Sequence, residues 1–85
     1  MKKLNYPTQK QILYLHTIER MDIKGRGVRS SALARELLVT RPSVHAMARK
    51  LMASGYVEQE HYGAIYLLPK GRDLLRKWKK EKELR

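Results

Sequence analysis

Thr40-Arg41-Pro42-Ser43-Val44-His45-Ala46 sets two hydroxyls, a guanidinium, an imidazole and a small methyl side by side, and Arg49-Lys50 follows about a turn later. Such groups do no covalent chemistry together. They donate and accept hydrogen bonds and pack against methyl groups, which is how side chains read polar edges, while the cations answer phosphate charge. No nucleophile–base pair, paired carboxylates or phosphate-cradling glycine loop accompanies them, and Gly25-Arg26-Gly27 is too short a signal to count. An enzyme is therefore not expected. The histidines at 16, 45 and 61 fall on different predicted elements, and the chain has no cysteine. Metal sites need several ligands converging on one point, so neither a metal nor a cofactor is expected.

The charge balance points to the kind of partner. Nineteen Lys and Arg against eight Asp and Glu leave +11 on 85 residues, of which 42% are hydrophobic. That apolar content suffices for a core and excludes a disordered basic tail. A folded, one-sidedly basic domain suits a polyanion, most often nucleic acid. A chain this short buries only about 60–65% of its unfolded surface, so one modest domain over residues 1–85 is expected. No apolar run is long enough to span a membrane, and Met1-Lys2-Lys3 has no apolar stretch behind it, so no signal peptide is expected.

The elements that must position these side chains are legible from punctuation and period. Thr8-Gln9-Lys10-Gln11 has the form of a capping box, and Ile12, Leu15, Ile18 and Met21 recur at threes, with Leu13 beside them, as the stripe of a first helix ending before Gly25. Val28-Arg29 predicts a very short strand. Ser30 or Ser31 then caps a second helix with Ala32, Leu33 and Leu37 inward. Leu38-Val39-Thr40 reads as a tight connection. Thr40 as N-cap and Pro42 in the first turn open a third helix, buried along Val44, Met47, Ala48 and Leu51 and ended by Gly55. Tyr56 to His61 alternates as a strand does, Tyr62-Gly63 turns, and Ala64 to Leu68 returns. Pro69 starts a last, basic helix over 70–85, with Leu74, Leu75 and Trp78 as its apolar side.

Helix, short strand, helix, tight turn, helix and two-stranded hairpin predict an α+β, mostly α fold: a winged helix-turn-helix with three helices, a two-stranded wing and a basic C-terminal helix. The helix-turn-helix spans 31–54 and the wing 57–68. In this fold the third helix enters the major groove and its N-terminal residues meet the base edges. Thr40, Arg41, Pro42, Ser43, His45 and Ala46 are thus the candidate base contacts. For Arg41, bidentate guanine reading and phosphate contact both stay open, with phosphate ahead. Arg49 and Lys50, opposite the buried stripe, are candidate DNA backbone contacts, with Arg29 a weaker one. At the wing tip His61 and Tyr62 reach the backbone or minor groove, or Tyr62 only covers the hairpin; the two readings are even. The last helix is an exposed face, a phosphate attractor or a self-association helix.

Several segments carry a family resemblance. Tyr14-Leu15-His16-Thr17-Ile18, Gly27-Val28-Arg29-Ser30-Ser31-Ala32-Leu33-Ala34, Arg41-Pro42-Ser43-Val44-His45-Ala46-Met47-Ala48-Arg49-Lys50-Leu51, Gly55-Tyr56-Val57-Glu58, Tyr62-Gly63 and Pro69-Lys70-Gly71-Arg72 resemble the N-terminal DNA-binding domain of the iron-dependent repressors. These are the diphtheria-toxin-repressor-like and manganese-transport-regulator-like proteins. The resemblance implies a homodimeric repressor reading a palindromic operator, with base or thymine-methyl contacts at Thr40, Pro42, Ser43 and Ala46. It also places a Met or Asp metal ligand before the first-helix Tyr, in some members a Glu three residues later, and a His on the helix after the wing. Here those positions hold Leu13, His16 and, by a gapless count, Lys82. The resemblance therefore supports DNA binding and not metal sensing.

The expected function is sequence-specific binding of double-stranded DNA by a transcriptional repressor, in the cytoplasm with the nucleoid. A weak or DNA-assisted homodimer is expected, through the first helix and the Leu74-Leu75-Trp78 side of the last, because a palindrome presents two half-sites roughly 34 Å apart. The rival is an architectural or protein-interaction winged helix that touches nucleic acid only through charge.

Overall fold

A computed structural model describes residues 7–60 and 63–83. The elements run α1 (Gln9–Met21), α2 (Ser30–Leu37), α3 (Arg41–Ala53), β1 (Val57–Gln59), β2 (Ile65–Leu67) and α4 (Pro69–Glu83). This is the winged helix-turn-helix, mostly helical, with a two-stranded antiparallel sheet among the described residues.

The first helix forms as its start signal dictates. Thr8 Oγ1 accepts the Gln11 amide at 3.1 Å and the Gln11 side chain accepts the Thr8 amide at 2.9 Å, so two otherwise orphaned donors are satisfied. Tyr14, Leu15, Thr17 and Ile18 are buried, while Ile12 and Met21 are half-buried and Leu13 is 51% exposed. Leu13 therefore lies outside the core stripe.

The second helix starts differently from the serine-capped helix expected. Its N-cap is Arg29, with no side-chain cap, and Ser30 and Ser31 are already in the helix. The cause is non-local. The Val28 amide donates to the Ile65 carbonyl at 2.8 Å and the Ile65 amide donates back at 2.9 Å. That bridge fixes where the extended chain ends, one residue before Ser30. Leu33 and Ala34 are the buried residues of α2, with Ala32 and Leu37 half-buried.

The turn into α3 passes through Leu38 in the left-handed conformation (φ 58°), its side chain 90% exposed. Thr40 then caps α3 and Pro42 sits in the first turn, as the sequence predicts. Val44, Ala48 and Leu51 are buried, Met47 half-buried, and Gly55 takes φ 81° after the helix.

In the wing, Val57 pairs with Leu67, Glu58 with Tyr66 and Gln59 with Ile65. Val57, Ile65 and Leu67 face inward and join Leu15, Leu33, Val44, Leu51 and Leu75 in one core. α4 packs on α1 and β2 through buried Leu75 and Gly71. A Cβ at Gly71 would collide with the Tyr56 carbonyl oxygen, so glycine is what lets α4 lie this close.

Candidate nucleic-acid interface

The site is built from α3 and what props it. Val44, Ala48 and Leu51 pin one face of α3 against the core, so the remaining face turns out. On that outer face Arg41, Pro42, His45 and Arg49 line one shallow concavity. Arg41, His45 and Arg49 recur at every fourth position and form a single ridge. Ser43, Ala46 and Lys50 are also exposed and make a second ridge beside it. Thr40 is exposed at the head of both.

The hydrogen bonds at the helix start bear on what it can read. Thr40 Oγ1 accepts the Ser43 amide at 3.2 Å and donates to Ser43 Oγ at 2.9 Å. A hydroxyl that accepts one bond keeps its own hydrogen free. Ser43 is therefore held in place by its neighbour while keeping a donor for an outside acceptor. Capping also leaves the Thr40 methyl unspent. The first turn of α3 carries no acidic side chain, so nothing cancels the positive end of the helix dipole facing a polyanion.

Arg29 is exposed at the start of α2, next to the Val28–Ile65 bridge and thus beside the root of the wing. The wing carries Glu58 and Glu60, both exposed. His61 and Tyr62, the expected wing-tip contacts, lie outside the described residues.

One residue without a sequence signal ties the C-terminal end of α3 to α4. Lys70 Nζ donates to the Ser54 carbonyl at the end of α3, 2.7 Å away, and sits 5.1 Å from the centroid of the Tyr56 ring. A cation there satisfies a terminal carbonyl and complements the negative end of the helix. The pairing exists only once α4 is folded back, so no local pattern reveals it.

A family model described as the iron dependent repressor, N-terminal DNA binding domain, matches residues 8–65. No curated protein sequence matches the chain. Among solved structures, a hypothetical protein from Sulfolobus solfataricus superposes with a TM-score of 0.75 at 21% identity, over 84% of this chain and 54% of that one. The multiple antibiotic-resistance repressor MarR from Listeria monocytogenes superposes at 0.70 with 21% identity, over 91% and 58%. The chain spans little more than half of either structure, and both likenesses speak for the fold. The family match runs from the cap of α1, through the whole helix-turn-helix, to the returning strand of the wing: the chain belongs to the iron-dependent repressor family by its N-terminal DNA-binding domain.

Proposed function

We propose that this chain binds double-stranded DNA with sequence specificity and acts as a transcriptional repressor, with α3 in the major groove. The observation that carries this reading is the outer face of α3. Its Arg41-His45-Arg49 ridge, with Ser43 and Ala46 beside it, is exposed on a helix whose opposite face is fixed in the core. Base contacts are assigned to Thr40, Arg41, Pro42, Ser43, His45 and Ala46. Arg29, Arg49 and Lys50 take phosphates, and His61 and Tyr62 of the wing tip extend that contact. Arg49 shares its ridge with Arg41 and His45, so its phosphate flanks the bases they read.

Two copies on a palindrome complete the reading. One recognition helix has only a handful of base contacts, and two half-sites set one helical turn apart multiply them. A weak or DNA-assisted homodimer formed through α1 and the half-buried Leu74 and Trp78 of α4 supplies the second helix; Leu75, expected to share that contact, is consumed by the monomer's own core. No helix among the described residues is long and apolar enough to cross a membrane, and placement with the nucleoid follows from the DNA partner.

Selection of bound sites from random duplex DNA tests this. A palindromic consensus, bound at least about a thousandfold more tightly than random duplex at physiological salt, supports it. Binding that ignores sequence and collapses with salt assigns the chain instead to non-specific winged-helix modules.

A further inference from the structure

The family description implies iron, and the fold shows where to look. α1 and α4 enclose a groove of about 390 Å³ lined by Gln9, Ile12, Leu13, His16, Trp78 and Lys82. The three positions at which the family resemblance expects metal ligands in this domain, 13, 16 and 82, thus meet in one place despite lying at opposite ends of the chain. The place is kept, but the donors are not. Leu13 offers an alkyl chain, Lys82 a cation and Gln9 an amide, which leaves the His16 imidazole as the one strong donor among the described residues that line the groove. A transition metal held by protein needs three or four converging donors. Among the described residues no group of three His, Cys, Asp or Glu side chains converges anywhere.

The groove is lined by a cation of its own. Lys82 Nζ lies 4.8 Å from the centroid of the Trp78 ring, and the His16 ring meets the same indole edge-on at 5.6 Å. An ammonium over an aromatic face is held by the ring's quadrupole. That contact lies within α4 and brings positive charge to the groove's rim, while the His16–Trp78 contact ties α4 to α1. That same charge repels an incoming divalent cation.

We infer that this family member has exchanged metal for an internal cation: the α1–α4 groove excludes divalent metal, Lys82 on Trp78 holds the positive charge there, and DNA binding is independent of metal. The second half rests on the proposed DNA reading. The first half is measured on the free protein, so the two fail separately.

Trp78 is the single tryptophan and reports on the groove directly. Manganese, zinc and, under argon, ferrous iron are titrated into the full chain, followed by tryptophan fluorescence and calorimetry. The expected result is no saturable binding below about 100 μM and a DNA affinity that chelator shifts less than about twofold. Stoichiometric binding below about 1 μM, or a tenfold loss of DNA affinity on chelation, overturns the inference. The converse variant makes the groove claim falsifiable by gain. Leu13→Asp with Lys82→His changes two exposed side chains and leaves His16 as the third donor. This variant gains manganese affinity by at least about tenfold over the parent chain, with a change in Trp78 fluorescence. A variant that folds, by circular dichroism, yet gains none shows that the three positions do not form one site.

Discussion

Lys70 Nζ donates to the Ser54 carbonyl at 2.7 Å, so the first turn of α4 closes the C-terminal end of α3. Lys70→Met keeps the alkyl stem over Tyr56 and removes the donor. Because the bond is exposed, the loss expected by chemical denaturation is modest, about 0.5–1 kcal/mol. Lys70→Arg recovers most of it. An unchanged midpoint in Lys70→Met would show that water replaces the ammonium at no cost.

Gly71→Ala is expected to be far more damaging. The new Cβ meets the Tyr56 carbonyl oxygen and, at 3.2 Å, the Leu67 side chain. The Tyr56 carbonyl already accepts the Leu68 amide at 2.9 Å, so α4 must shift as a body. A loss on the order of 2–4 kcal/mol is expected in the thermal or urea midpoint. A loss under about 0.5 kcal/mol would mean that the helix slides freely.

Leu38→Gly should do the reverse. Leu38 holds φ 58° with its side chain 90% exposed. A left-handed conformation costs a side-chain-bearing residue about 1 kcal/mol and costs glycine little. A gain of roughly 0.5–1 kcal/mol is expected, and a loss of stability would show that the exposed leucine makes a contact of its own.

On the proposed reading, each ridge of α3 carries both phosphate and base contacts, and the two kinds differ in their effect on DNA. Arg49→Ala weakens all duplexes alike and flattens the salt dependence by about one unit of slope. Ser43→Ala removes a directional donor and relaxes preference at one base position by about 1–3 kcal/mol of discrimination. If Ser43→Ala changed affinity equally for every sequence, its hydroxyl would be a phosphate contact.

Burial pushes the Tyr14 phenol above its ordinary 10.0. The neutral form is favoured in the folded chain, so stability from this preference is whole below about pH 10 and is lost as pH rises through the folded value. Tyr14→Phe is expected to flatten the alkaline decline in a urea midpoint measured against pH. A decline of equal steepness in both proteins would place its origin elsewhere.

What could be foreseen from the residues is what is local. The capping box at Thr8–Gln11, the Thr40 cap with Pro42, and the glycine stop at Gly55 each depend on a few neighbouring residues. The start of α2 was expected at a serine cap and lies instead after Arg29, because a partner far along the chain, Ile65, decides where the extended segment ends. Lys70 is invisible for the same reason: it finds Ser54 only after α4 has folded back. The apolar spacing of α1 suggested Leu13 as a neighbour of the core stripe, but its position on the helix turns it to the groove with Trp78. His61 and Tyr62 remain an expectation from hairpin pattern alone.

The bridge between Val28 and Ile65 has a consequence for how binding proceeds. Ile65 is paired on one edge with Gln59 of the wing and on the other with Val28, which leads directly into α2. The root of the wing and the foot of the helix-turn-helix are therefore joined by two backbone hydrogen bonds. A wing that swung in to grip the duplex would have to break both bonds. If α3 and the wing both contact DNA as proposed, their joint is set before the DNA arrives, and the free and bound forms should differ little in shape there. On that reading the ordering cost at this joint is met during folding and not on binding.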